Sequence, residues 1–252
     1  MTLVVLAVCR DGPVMGSDKN RKLFHHLNAD DGAVFKVRAT KKIAYVRSLS
    51  LLIGAAGDGQ IPDDGNFADS LTANKWLSRE IQRYLEQDDE ITASNLLLRI
   101  ETRLNVLYCP GTVLLSCHVD HQDCSISVQL RIGDEGHFAT LFNSPLEIID
   151  HCFLHCIGSG ASLHNAIFSL PGGSLHQIRT RVSNFFFGAA IAISPAMFDR
   201  IVSVRQGFSE SNSQRECLKL VRESIEIVSD LHIIAGHDEV GGMTDVKGFR
   251  IV

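Results

Sequence analysis

At 252 residues, 45% hydrophobic and 21% charged, the chain carries enough apolar material for a substantial core and shows no bias toward disorder. A net charge of −5 with no long basic block argues against nucleic acid as a partner. No apolar run reaches membrane-span length or follows a basic leader, and the seven cysteines show no paired C-x-x-C pattern; a cytoplasmic protein with reduced thiols and no membrane partner is expected.

The chain opens with an unbroken apolar run, residues 3–9, directly behind Thr2. Its β-branched content and short length predict a strand buried on both faces. Arg10-Asp11-Gly12-Pro13 is a turn, and residues 14–16 resume a short strand that ends at Ser17-Asp18. Residues 19–33 read as a polar loop. Short strands at 34–37 and 43–46 flank Thr40-Lys41-Lys42. Leu51-Leu52-Ile53 leads into the Gly-rich turn Gly54-Ala55-Ala56-Gly57-Asp58-Gly59-Gln60, which lacks either standard phosphate-loop pattern.

Helical periodicity predicts helices over 69–85 and 92–107, the second with Leu96, Ile100 and Leu104 four residues apart. Strands are expected at 112–119, 125–132, 137–141 and 153–157, the last running into Gly158-Ser159-Gly160. A helix over 161–170 follows. Residues 174–210 are the hardest to place. They include an apolar run at 185–193, read as a buried helix or a contact surface between subunits, because no single face holds all of it. Residues 211–228 form an amphipathic helix, 232–235 a strand, and 244–252 a last strand. The order predicts one α+β domain over 1–252, with sheets covered by helices.

Removal of Met1 would leave Thr2 with an amine and a hydroxyl on one residue, and an N-terminal amine can serve as the base for its own hydroxyl. Alone, Thr is an ordinary second residue. In chain order, however, Thr2, Ser17-Asp18, Lys41-Lys42, Gly54-Ala55-Ala56-Gly57-Asp58, Gly158-Ser159-Gly160 and Gly241-Gly242-Met243-Thr244-Asp245 resemble the β-type subunits of the proteasome family. These are N-terminal nucleophile hydrolases with a threonine nucleophile. The start is similar to bacterial proteasome-like members, in which only methionine precedes the threonine.

The resemblance implies a four-layer αββα sandwich, peptide-bond hydrolysis of a polypeptide substrate, and a homo-oligomeric ring served by an ATP-dependent unfoldase, with no cofactor or metal. Carried over by position, Thr2 is the nucleophile, Asp18 the acid that holds a lysine, and Lys42 that lysine. Gly54 offers a backbone N–H to the oxyanion, and Ser159 supports the terminal amine. A cation beside the hydroxyl favours its ionised form, and one oxyanion donor contributes roughly 3 kcal/mol in other acyl-transfer enzymes. Thr40, Leu52 and Ala56 fall at substrate-pocket positions, which implies a preference for apolar residues. The sequence departs from the family where an Asp and a Ser precede the paired glycines: His237 and Val240 stand there, with Asp238 one step away. Residues 171–210 look like an insertion. The alternative reading is a ring or scaffold subunit without turnover.

Two further groups carry metal-ligand side chains. Cys117-His118-Val119-Asp120-His121-Gln122-Asp123-Cys124 lies at an expected hairpin, where alternation splits the ligands between faces, and reads as solvated turn residues. His151-Cys152 and His155-Cys156 read as ordinary packing.

Overall fold

The computed structural model describes residues 2–25, 34–39, 41–57, 60–63, 66–107, 109, 111–133, 136–149, 151–169, 174–186, 188, 191–210, 213–236, 240–241 and 244–251. They form a mixed α+β structure with two large antiparallel sheets and six α-helices among the described residues.

The first strand, β1 (Val4–Cys9), is buried at every position. Val5, Ala7 and Cys9 face one apolar cluster and Val4, Leu6 and Val8 face another, which is why the run is unbroken rather than alternating. β1 pairs antiparallel with β2 (Gly12–Asp18) on one side and with β12 (Phe153–Ile157) on the other. β13 (Thr244–Gly248) adds to β2, giving the order β12-β1-β2-β13. The second sheet has five strands in the order β11-β10-β9-β6-β5. They are β5 (Ile43–Val46), β6 (Leu51–Ala56), β9 (Val113–Asp120), β10 (Ser125–Arg131) and β11 (Phe138–Pro145).

The two sheets face each other. Val4, Leu6, Val8 and Met15 of one meet Leu52, Leu115, Cys117 and Ile126 of the other. Gly54 of β6 allows a close approach: a Cβ there would lie 2.6 Å from Val4 Cγ1 and 2.8 Å from Met15 Sδ. The far face of the five-stranded sheet, with Leu51, Ile53 and Leu114, is covered by α1 (Ala73–Gln87) and α2 (Ala93–Leu107). The far face of the four-stranded sheet is covered by α3 (Ala161–Phe168), α4 (Leu175–Phe185), α5 (Pro195–Glu210) and α6 (Gln214–Ile234). α6 packs closely because β2 has Gly16 beneath it, where a Cβ would come 2.4 Å from Val221 Cγ1. No helix among the described residues is long and apolar enough to cross a membrane.

Several expectations change. Part of the polar loop at 19–33 is a strand: β3 (Asn20–His25) pairs with β4 (Val34–Ala39). Ladder hydrogen bonds are made by the main chain, so a polar strand gives no alternating signal. The helix expected from residue 69 begins at Ala73, because β8 (Asn66–Thr72) pairs with β7 (Gln60–Asp63). The strand expected at 232–235 is the end of α6, where Val228, Leu231 and His232 extend the buried face at helical spacing. Residues 174–210 hold α4 and α5, and Phe186 and Ile193 are buried in the cluster with α6. Ser174 starts α4 with a reciprocal capping box to Gln177.

Candidate active site

Thr2 stands at the head of β1 and is held through its main chain. Its N–H donates to Ser159 Oγ at 3.0 Å, and its carbonyl accepts from the Gly160 N–H at 3.2 Å. Ser159 lies in the turn between β12 and α3. Gly158, at φ +98°, lets that turn press against the strand: a Cβ there would fall 2.1 Å from the Thr2 carbonyl oxygen. That collision, with the left-handed conformation, explains the glycine.

Asp18 ends β2, alongside the start of β1. Its N–H donates to the Leu3 carbonyl at 3.2 Å, and its Oδ1 accepts from the Leu3 N–H at 2.7 Å. The same oxygen accepts from Lys42 Nζ at 2.7 Å. Both side chains of this ion pair are almost fully buried, at 3% and 1% exposure for Lys42 and Asp18. Burial pushes the Asp18 carboxyl above its ordinary range, against the opposing pull of the Lys42 ammonium and of the Leu3 and Gly241 N–H groups. An ion pair this deep is costly to desolvate, and the Leu3 N–H holds the carboxylate alongside the Lys42 ammonium. Lys41, the neighbour of Lys42, is exposed.

Gly54 sits in the ladder opposite Ile43 and Leu115, and the next residue, Ala55, donates its N–H to the Lys42 carbonyl at 2.9 Å. Main-chain pairing therefore brings Gly54 beside Lys42. The packing against Val4 and Met15 gives Gly54 a structural reason of its own. Val240 is fully buried. A Cβ on Gly160 would lie 3.1 Å from Val240 Cγ2 and 3.2 Å from Leu3 Cβ, so Val240 fills apolar space beside the Ser159 turn.

The structure thus brings Thr2, Asp18, Lys42 and Ser159 to one end of β1, with Gly54 on the facing sheet. Leu52 is fully buried in the cluster between the sheets, and Ala56 is 3% exposed in the same cluster. Thr40, His237 and Asp238 lie outside the described residues. A cleft of about 270 Å³ runs along β5, lined among others by Lys41, Ile43, Ala44, Tyr45, Leu77 and Lys247. Sequence reading missed the clamping roles of Leu3, Gly158, Gly160 and Gly241. The Gly-Ser-Gly trio was the available signal for two of them.

The His and Cys groups are separated by the fold. In β9, Cys117 faces the inter-sheet core, and Asp120 closes the following turn by accepting from the Gln122 and Asp123 N–H groups at 2.9 and 3.2 Å. Cys156 faces α3 and donates to Asn165 Oδ1 at 3.0 Å, while His155 stacks beside Phe153. Among the described residues no three His, Cys, Asp or Glu side chains converge as a metal site.

A search of protein-family models finds no match to this chain, and a search of curated proteins finds none either.

Proposed function

We propose that the chain is a threonine-type peptidase of the proteasome-like class, an N-terminal nucleophile hydrolase of four-layer αββα build that acts on polypeptides inside a homo-oligomeric ring. One observation carries this reading: Thr2 is clamped at its nitrogen by Ser159, next to a residue whose N–H binds the buried Asp18–Lys42 pair. A buried lysine is costly to keep, and here it lies at the head of a strand buried at every position. The succession of helices, sheet, sheet and helices across three apolar clusters supports the αββα build.

In this mechanism Met1 is removed, and the Thr2 nitrogen becomes a primary amine held by Ser159. The amine takes the hydroxyl proton, through water, while the Lys42 cation favours the developing alkoxide. The oxygen attacks the peptide carbonyl, an oxyanion forms beside β6, and the leaving amine departs with the proton. Water then hydrolyses the ester on Thr2. Gly54 supports the reading less than Lys42 does, because Val4 and Met15 already require a bare Cα there.

The test is intact-mass analysis before and after treatment with a β-lactone electrophile. The expected result is a chain lacking Met1 that gains one adduct on Thr2, and none in Thr2→Ala. Retained Met1 in active protein would falsify the mechanism. A second reading, a ring or scaffold subunit without turnover, is favoured by Val240, whose apolar side chain packs beside the turn where the family places a serine. Loss of Met1 with no adduct on Thr2 selects that reading.

A further inference from the structure

Three cysteines from three separate elements converge on the helical side of the four-stranded sheet. Cys9 ends β1 and is 1% exposed; Cys217 lies on α6 and is fully buried. Cys152 immediately precedes β12 and is half-buried. The antiparallel register explains the first juxtaposition. Val8 faces Phe153 across the ladder, so the next step places Cys9 opposite Cys152. Val5 and Cys156, and Ala7 and Leu154, are the preceding pairs on that face. α6 crosses above and packs Cys217 into the same buried cluster as Cys9, with Cys152 packed against it. Cys9 also donates to the Gly12 carbonyl at 2.9 Å. All three are free thiols.

We infer that Cys217 is the hub of an intramolecular thiol–disulfide exchange site, able to bond to Cys152 or to Cys9 and so to staple α6 to the β1–β12 strand pair. The oxidant is a low-molecular-weight disulfide of the glutathione type. Cys152, the most accessible of the three, attacks one sulfur of that disulfide. A mixed disulfide forms on Cys152, one small thiol leaves, and the Cys152 proton goes to solvent and then to the leaving thiolate. Cys217 then attacks the Cys152 sulfur and expels the second small thiol. One disulfide is reduced to two thiols, and two protein thiols become one disulfide. Attack of Cys9 on Cys217 transfers the bond and returns Cys152 to the thiol, with no further oxidant.

Interaction with Cys217, followed by burial, holds the Cys9 and Cys152 thiols far above their ordinary range, so the attacking thiolate is scarce and exchange accelerates as pH rises. The site lies at the opposite end of β1 from Thr2, six strand residues and roughly 20 Å away. It therefore works independently of the proposed hydrolase chemistry.

The experiment treats the full chain with oxidised glutathione at pH 8 and maps peptides without reduction. Exposed Cys124 becomes glutathionylated and serves as the internal control. The expected products are Cys152–Cys217 and Cys9–Cys217 linked peptides, and a Tm raised by about 5 °C that dithiothreitol reverses. Cys217→Ala should abolish both links, whereas Cys9→Ala should leave the Cys152–Cys217 link. If Cys217→Ala does not fold, the Cys9→Ala, Cys152→Ala double variant takes its place, and it too should form no link to Cys217. Stable mixed disulfides without either link, or a Cys217 link that survives in the double variant, would overturn the proposal.

Discussion

Lys42 separates two effects that the sequence treats as one. On sequence alone, Lys42→Ala is expected to remove turnover and leave folding nearly intact. The structure places its ammonium 2.7 Å from Asp18 Oδ1 with both groups buried. Truncation strands a carboxylate that burial already disfavours, and breaking a buried pair from one side typically costs about 3–5 kcal/mol. The expected outcome is loss of turnover together with a lower denaturant midpoint, so activity must be scored per folded molecule. Lys41→Ala should change stability by less than about 0.5 kcal/mol, because Lys41 is exposed. Urea titrations and peptide-hydrolysis rates on both variants check this, and equal effects would show that the buried pair is not the pair that matters. Thr2, Asp18, Lys42 and Ser159 were legible as a set only through their order along the chain. Their convergence depends on the β1–β12 pairing, which brings Thr2 within hydrogen-bonding reach of Ser159, 157 positions away, and no local pattern encodes that.

Among the elements, the contact between α3 and α6 contains a titratable group with no charged partner among the described residues. His164 is fully buried. Ser224 donates its hydroxyl proton to the Val221 carbonyl at 2.9 Å, so its oxygen accepts from His164 Nε2 at 3.1 Å. That fixes the neutral tautomer with the proton on Nε2. Desolvation pulls this histidine from 6.5 down to about 3. Between those values the unfolded chain binds a proton that the folded chain refuses, so stability is full above pH 6.5 and falls as the pH drops. At pH 5 the loss from this residue is about 2 kcal/mol. Denaturant unfolding at pH 7.5 and pH 5 should show a steeper decline for the native protein than for His164→Asn; parallel declines would place the acid sensitivity elsewhere. The helices themselves were readable where four-residue spacing is strong, as at Leu96, Ile100 and Leu104, all buried. β8 was absorbed into a helix because Leu71 happens to extend the helical spacing backward. β3 was missed because main-chain pairing leaves no mark on a polar sequence.

For the whole molecule, the apolar run around residue 186 changes its meaning. Phe186 is 6% exposed and sits edge-on to Phe185 at 4.9 Å and to His232 at 5.2 Å. It belongs to the cluster that joins four helices to the four-stranded sheet. Phe186→Ala should therefore cost about 3–5 kcal/mol through the cavity it leaves. Thermal unfolding should show that loss while light scattering of the folded fraction gives an unchanged particle mass. A smaller particle at undiminished stability would restore the contact-surface reading. The sequence left this run as either a buried helix or a contact surface. Phe186 is buried against α6, which arrives from further along the chain and could not be positioned by periodicity.

The two hydrogen bonds between Asp18 and Leu3 have a consequence for solvent exchange. The amide hydrogens nearest a chain end normally exchange first, because an end strand frays without disturbing its neighbours. Here the Leu3 N–H is fixed to a carboxylate that is itself tied to Lys42 on the facing sheet, and the Leu3 carbonyl returns to the Asp18 amide. β1 lies between two partners rather than at an edge. Opening at Leu3 must therefore separate both sheets at that end, so its deuterium uptake belongs with the slowest, global opening of the molecule.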